Sequence, residues 1–223
     1  MTIGICSLWY NAAELLPEFE RLLAPGGWDE CILVDNASSA ESAKAYAESA
    51  ERAGFTVLRM EENNVCKGWN AGMNALGTDL RVCMANDLLM IDLGWLTRVT
   101  RDVGPGLMAG LQLRRFMDGT TYLDGSITVY HALDWERLGG LDEEYTHPGY
   151  VSDVDICWRA SQLGIIFRTF GTPLHHIENY SSKVPRGQVH PTWAENKDRF
   201  LAKKAEAQQR EQAEMAAHAQ DGL

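Results

Sequence analysis

Val82-Cys83-Met84-Ala85-Asn86-Asp87 is an apolar run of strand length that ends in an amide and a carboxylate. Such a run reads as a buried strand that delivers polar groups to the carboxyl edge of a sheet, where α/β proteins bind their ligands. Asn and Asp also terminate strands without further purpose. The surroundings of the stretch therefore decide what it means.

Working outward, the same pattern recurs on the N-terminal side. Ile3 to Leu8 is an apolar strand closed by Asn11, and Leu15, Leu16, Phe19, Leu22 and Leu23 follow at helical spacing until Pro25-Gly26-Gly27 stops them. Cys31 to Val34 is a second strand ending in Asp35-Asn36. Ser38 or Ser39 is placed to cap the Ala-rich helix that runs to Gly54. Thr56 to Met60 reads as a third strand and Trp69 to Leu76 as a short helix. This alternation predicts an α/β fold with a mostly parallel Rossmann-like sheet flanked by helices, its crossovers right-handed. Parallel strands bring Ser7, Tyr10 and Asn11, Asp35-Asn36 and Asn86-Asp87 to one rim, where a nucleotide is expected. No GxGxxG follows the first strand and no GxxxxGK[ST] occurs, which disfavours a dinucleotide site and a P-loop.

Beyond Asp87 the spacing predicts a helix over Leu93 to Arg101, a break at Gly104-Pro105-Gly106, and strands over Leu107 to Leu113 and Ser126 to Tyr130. Asp118-Gly119 between them is a hairpin signal. A brief helix over Asp134 to Leu138 precedes the loop Gly139 to Tyr145. Ser152 is placed to cap a helix that runs to Leu163 and stops at Gly164, and Ile165 to Phe170 reads as the last strand. From Thr192 the chain is rich in Ala, Glu, Gln and Lys. A helix is expected there, packed through Trp193, Phe200 and Leu201 and solvated beyond about Lys204. The division that follows is residues 1–190 as the main domain and 191–223 as a helical tail, the tail offering a contact surface for a second copy.

Composition narrows the function. The 223 residues suit one domain, and the formal charge of −11 argues against a broad phosphate-tracking surface for nucleic acid. Five scattered cysteines, odd in number and without a CxxC pair, suggest neither a disulfide framework nor structural zinc. The absence of a basic leader, and of an apolar run near the roughly 20 residues that span a bilayer, leads to a cytoplasmic expectation with no transmembrane segment.

The order of these motifs resembles the family 2 glycosyltransferases of the GT-A fold, especially their rhamnosyltransferase-like branch, over about Ile3 to Ser182. The pieces are Val34 to Ser38, Asn63 to Gly72, Ala85-Asn86-Asp87, Gly139 to Glu143, Asp153 to Arg159, and His176 with Ser181. The resemblance implies an inverting transfer of a sugar from a nucleoside-diphosphate donor to an acceptor hydroxyl. It implies that Asp35 contacts the base or ribose, that Asn70 and Gly72 lie near the nucleotide and sugar, and that Lys67 is available to a phosphate. Asp87 matches the last carboxylate of a DxD-type motif whose first acid is here Ala85, and would hold Mn²⁺ or Mg²⁺ against the diphosphate. His176 matches a late metal or diphosphate ligand, with adjacent His175 competing for the role. Asp153 matches the general base. Its place in a first helical turn favours the ionised form and predicts a weakened base, and the Glu usual before it is here Ser152. Asp155 and Arg159, four apart, are spaced to pair. The loop from Gly139 is similar to one that shapes the acceptor site, with Asp142 a hydroxyl contact and Trp135 a stacking surface. The acceptor itself stays open among a glycan, a lipid-linked precursor, a protein and a modified DNA base.

Two rivals stand beside this reading. A nucleotidyltransferase would carry a Gly-rich basic loop after strand one, where this chain has Ser7-Leu8-Trp9-Tyr10-Asn11. A non-catalytic sugar-nucleotide or glycan-binding module is suggested by Ala85 and Ser152.

Overall fold

The computed structural model describes residues 1–90, 94–145, 148–171, 174–176 and 190–221. The chain opens with β1 (Ile3–Trp9), a 3-10 turn (Ala13–Leu15) and α1 (Leu16–Leu23), followed by β2 (Glu30–Asp35) and α2 (Ala40–Ala53). Ser39 caps α2 by accepting the Ser42 N–H at 3.3 Å, and Gly54 closes it at φ +79°. Then come β3 (Thr56–Arg59), α3 (Val65–Ala75), β4 (Leu80–Ala85), β5 (Leu88–Met90) and α4 (Trp95–Thr100). The third helix starts four residues before the expected Trp69 because Asn64 caps it, its Oδ1 accepting the Lys67 N–H at 3.0 Å.

The second half contains β6 (Leu107–Gly110), β7 (Leu113–Arg115), β8 (Thr121–Leu123), β9 (Ile127–His131), α5 (Ala132–Leu138), α6 (Ser152–Gln162), β10 (Ile166–Thr169), β11 (Leu174–His176) and α7 (Thr192–Asp221). The strand expected over Leu107 to Leu113 is divided between β6 and β7. The turn at Asp118-Gly119 joins β7 to β8 as an antiparallel hairpin.

Among the described residues, seven strands form the main sheet in the order β10-β6-β9-β4-β1-β2-β3. All run parallel except β9, which is antiparallel to both β4 and β6. The sheet is thus mostly parallel, as expected, with β9 the exception. That strand brings its amino end to the edge instead, and the Ala85 N–H donates to the Ser126 carbonyl at 2.8 Å.

Alternation along the strands splits the core into two layers. Ile5, Leu33, Val82 and Val129 face α1, α2 and α4, while Cys6, Ile32, Val34 and Tyr130 face α3, α5 and α6. Gly72 lies where α3 crosses this second face. A Cβ there would stand 2.4 Å from Cys6 Sγ and 2.5 Å from Val34 Cγ2, so glycine permits the close approach. The tail helix docks rather than dangles: Phe200 is fully buried, with Phe116 at 5.6 Å and Trp158 at 6.0 Å between ring centroids. No described helix is long and apolar enough to cross a membrane.

Candidate active site

The register levels the ends of the central strands, pairing Trp9 with Asp35 and Leu8 with Ala85. Much of the polar rim so formed is occupied by its own neighbours. Ser7 is fully buried and its Oγ accepts the Trp9 indole N–H at 2.8 Å. Tyr10 is half-buried and Asn11 exposed at φ +47°. The Asn11 N–H donates to Ser38 Oγ at 3.0 Å, and its Oδ1 accepts the Ser39 N–H at 2.8 Å, which ties the two strand-end loops together.

Asp35 is fully buried, accepts the Ser38 N–H at 2.9 Å and is ion-paired with Arg59. Where Asp35 was expected to meet a ligand, the guanidinium of Arg59, 49% exposed, is the group that faces solvent. Sequence reasoning passed over Arg59 as the end of a strand, although β2/β3 pairing sets it opposite Asp35. Asn36 is likewise engaged, donating to Asn63 Oδ1 at 2.7 Å and accepting the Asn64 N–H at 3.1 Å.

On α3, Lys67 is half-exposed and paired with Glu62. Asn70 is buried and spends its amide on the loop after α5: Nδ2 donates to the Leu141 carbonyl at 2.8 Å and to Glu143 Oε1 at 2.9 Å, and Oδ1 accepts the Leu141 N–H at 2.8 Å. The helix thereby sets the position of that loop. Gly140 is required beneath it, both for its φ of +75° and because a Cβ would lie 2.6 Å from Asn70 Oδ1.

At the end of β4, Asn86 and Asp87 form the turn into β5. Asp87 is 6% exposed. The Asn86 Nδ2 is buried and makes no hydrogen bond among the described residues. An orphaned buried donor costs free energy, and its position on the rim is one a ligand oxygen would satisfy. Backbone pairing sets His176 opposite Leu88, one residue from Asp87. The side chains of His175 and His176, and all of Ser181, lie outside the described residues. Among the described residues no cluster of three His, Cys, Asp or Glu side chains is arranged to hold a metal.

Asp153 lies in the first turn of α6, beside a cavity of about 60 Å³ whose walls include Trp69, Cys83, Leu123, Tyr130 and Trp135. Burial among these groups, reinforced by the negative charge of Asp124, pushes its carboxyl up to about 6 against the opposing backbone N–H groups of Val154 and Gly125. The expectation of a weakened base is thus reversed, because desolvation outweighs the helix terminus. The entry into the helix is itself unusual: Val151, a β-branched residue, sits at φ +78°, and no side chain caps the helix.

The loop expected to shape an acceptor site is braced from both sides. Arg159 donates to the Gly140 carbonyl at 2.8 Å, and pairs with Asp155 at 2.9 Å as its spacing suggested. Lys203 of α7 stands 2.9 Å from Asp142 and 2.9 Å from the fully buried Asp155. Burial pushes the Asp142 carboxyl upward, but hydrogen bonds from Lys203 and the Glu144 N–H outweigh it and hold the group below its ordinary value. Trp135 is 1% exposed and donates to Asn74 Oδ1 at 2.7 Å. It forms a wall of the cavity instead of the open platform expected for stacking a sugar.

No protein-family model matches the chain, and no curated protein matches it in sequence. Solved structures do match. Mannosyltransferase PcManGT from Pyrobaculum calidifontis, in complex with GDP-Man and Mn²⁺, superposes with a TM-score of 0.63 at 17% identity, over 75% of this chain and 54% of that one. S. aureus TarS 1-349 in complex with UDP-GlcNAc gives 0.59 at 12% identity, over 76% and 56%. Glucosyl-3-phosphoglycerate synthase from Mycobacterium tuberculosis, in complex with Mn²⁺, UDP and phosphoglyceric acid, gives 0.60 at 16%, over 78% and 70%. The chain spans little more than half the length of the first two. At such identities the likeness is one of fold, and the fold is the GT-A arrangement of these glycosyltransferases.

Proposed function

We propose that the chain is a glycosyltransferase that moves a sugar from a nucleoside-diphosphate donor to an acceptor hydroxyl with inversion, in the manner of family 2 enzymes and their rhamnosyltransferase-like branch. The observation that carries this reading is Asp153: a half-buried carboxylate, raised to about 6 by its surroundings, lining a cavity together with Cys83 of the strand that ends in Asn86 and Asp87. A carboxyl in that range is ionised at neutral pH yet accepts a proton more readily than an ordinary aspartate. In the proposed reaction it takes the acceptor hydroxyl's proton as that oxygen bonds to the anomeric carbon, and the bond to the nucleoside diphosphate breaks on the opposite face.

On the donor side, the unsatisfied Asn86 Nδ2 and the half-exposed Arg59 are suited to phosphate or base oxygens. A divalent cation would be held by Asp87, with His176 beside it in the backbone register and diphosphate oxygens completing the set. One carboxylate in place of two fits an oxygen-seeking ion that takes most of its ligands from the diphosphate, as Mg²⁺ and Mn²⁺ do. Such an ion neutralises charge on the leaving diphosphate. Five free cysteines, four of them buried, accord with a reducing cytoplasm.

A second reading, a sugar-nucleotide binding module without turnover, is favoured by the self-satisfied state of Ser7, Asp35 and Asn70. Calorimetric titration of UDP-, dTDP- and GDP-sugars, with Mn²⁺ and then with EDTA, tests both. Binding of one donor that is metal-dependent and lost in Asp87→Ala establishes the donor site. Slow hydrolysis of that donor, abolished in Asp153→Asn, then separates enzyme from module, and absence of any donor binding overturns both readings.

A further inference from the structure

The loop between β8 and β9 passes directly in front of Asp153. A Cβ on Gly125 would lie 3.4 Å from the Asp153 Cβ and 3.6 Å from its Oδ2, so the backbone is in near contact with the carboxylate. The neighbouring residue, Asp124, is held at both oxygens: Oδ2 by Arg114 Nη2 at 2.8 Å, and Oδ1 by the Ser126 N–H at 3.0 Å. The same loop is fastened to β4 through the Ala85 N–H and the Ser126 carbonyl, one residue before the Asn86-Asp87 turn. One short segment therefore spans the proposed base and the proposed donor edge.

We propose that Asp124, gripped by Arg114 and adjoining the glycine that touches Asp153, is a positioning residue that keeps the proposed base ready to take a proton. The inference rests on the transferase reading for its purpose and on the loop geometry for its substance. Among the described residues, the other titratable groups around Asp153 are Tyr122 on β8, Tyr130 on β9, Cys83 on β4 and Cys157 on α6. Burial raises all four, so they carry no charge at neutral pH. Arg159, on the same helix, is committed to Asp155. Asp124 is then the nearby anion, and Arg114 behind it moderates how much of that charge Asp153 feels. A residue serving only as a loop anchor would grip Ser126 and Arg114 equally well without influencing the base.

The two roles separate under substitutions of opposite charge effect. Asp124→Asn keeps an oxygen for the Ser126 N–H and removes the anion; Arg114→Met removes the cation and leaves the anion bare. Carboxyl carbon resonances of the full chain labelled at aspartate, with the Asp153 signal identified by its loss in Asp153→Asn, give the titration midpoint without any substrate. The expected result is a midpoint lowered in Asp124→Asn by roughly half a pH unit or more, and raised in Arg114→Met. An unmoved midpoint in folded Asp124→Asn overturns the inference and leaves Asp124 a loop anchor. Because the readout needs neither donor nor acceptor, its failure is distinct from failure of the transferase reading, which the donor titration decides.

Discussion

The two sides of the sheet edge are built on opposite principles. At the ends of β1 and β2 and on α3, Ser7, Asp35, Asn36 and Asn70 are hydrogen-bonded within the protein. At the start of α6, Asp153 is desolvated, has an anion as neighbour, and follows a valine in a left-handed conformation. The first side spends its polar groups on holding loops in place, which preorganises a surface at no cost in unsatisfied atoms. The second withholds stabilisation from one carboxylate, and that deficit is what makes it a usable base. Stability and chemistry are thus assigned to different elements at one sheet edge.

The sharpest way to break the contrast is Asp153→Asn. If the carboxylate is the base, turnover falls by about 10²–10⁴-fold while donor affinity is retained; matched loss of turnover and calorimetric affinity would erase the distinction between the two sides. Next comes Asp35→Ala, which strips a buried carboxylate from Arg59 and from the Ser38 N–H. A loss of about 1–3 kcal/mol in denaturant unfolding is expected, the half-exposed arginine limiting the effect. A loss of donor binding without any loss of stability would instead assign Asp35 to the ligand.

The complementary experiment uses stability on the other side. A carboxyl raised in the folded state to about 6, from an ordinary value near 3.8, binds protons more readily when folded than when unfolded. Its ionisation therefore costs stability that is intact below the unfolded value, is lost as pH rises, and is fully lost above the folded value. Asp153→Asn should unfold at higher denaturant than the parent at pH 8, by about 1–2 kcal/mol after allowance for partial exposure, with the gain shrinking toward zero as pH falls below the unfolded value. The smallest effect is expected of Lys203→Met, about 1 kcal/mol, confined to pH values where Asp142 and Asp155 are ionised. A pH-independent loss would assign the lysine to packing.

The strands ending at Ala85 and Asp35 were legible because apolar runs closed by amides and carboxylates follow from burial and strand geometry, and the helices because caps and stops are local. The direction of β9 was not, since Ser126 to Tyr130 reads the same either way and only pairing with β4 orients it. That reversal brings Asp124 and Gly125 to the edge, so the surroundings of Asp153 could not be foreseen either. The resemblance singled out Asp153, but a pKa depends on what lies around a group, and Leu123, Tyr130 and Trp135 are remote from it in sequence. Arg59 escaped notice because an arginine closing a strand is ordinary until its partner is known. For Trp135 and Asp142 the resemblance implied an open acceptor site, whereas Trp135 is buried and Asp142 is paired with Lys203, because exposure and pairing are tertiary properties.

Lys203 carries one more consequence, in the order of synthesis. The ribosome delivers Asp142 and Asp155 long before the lysine that stands 2.9 Å from both. Among the described residues before α7, Arg159 is the cation paired with the buried Asp155, and Phe200 of α7 packs between Phe116 and Trp158. The sheet can assemble as it leaves the tunnel. The brace on the base-side loop comes from the part of the chain farthest from it in sequence, so α7 ties together what the sheet alone leaves apart.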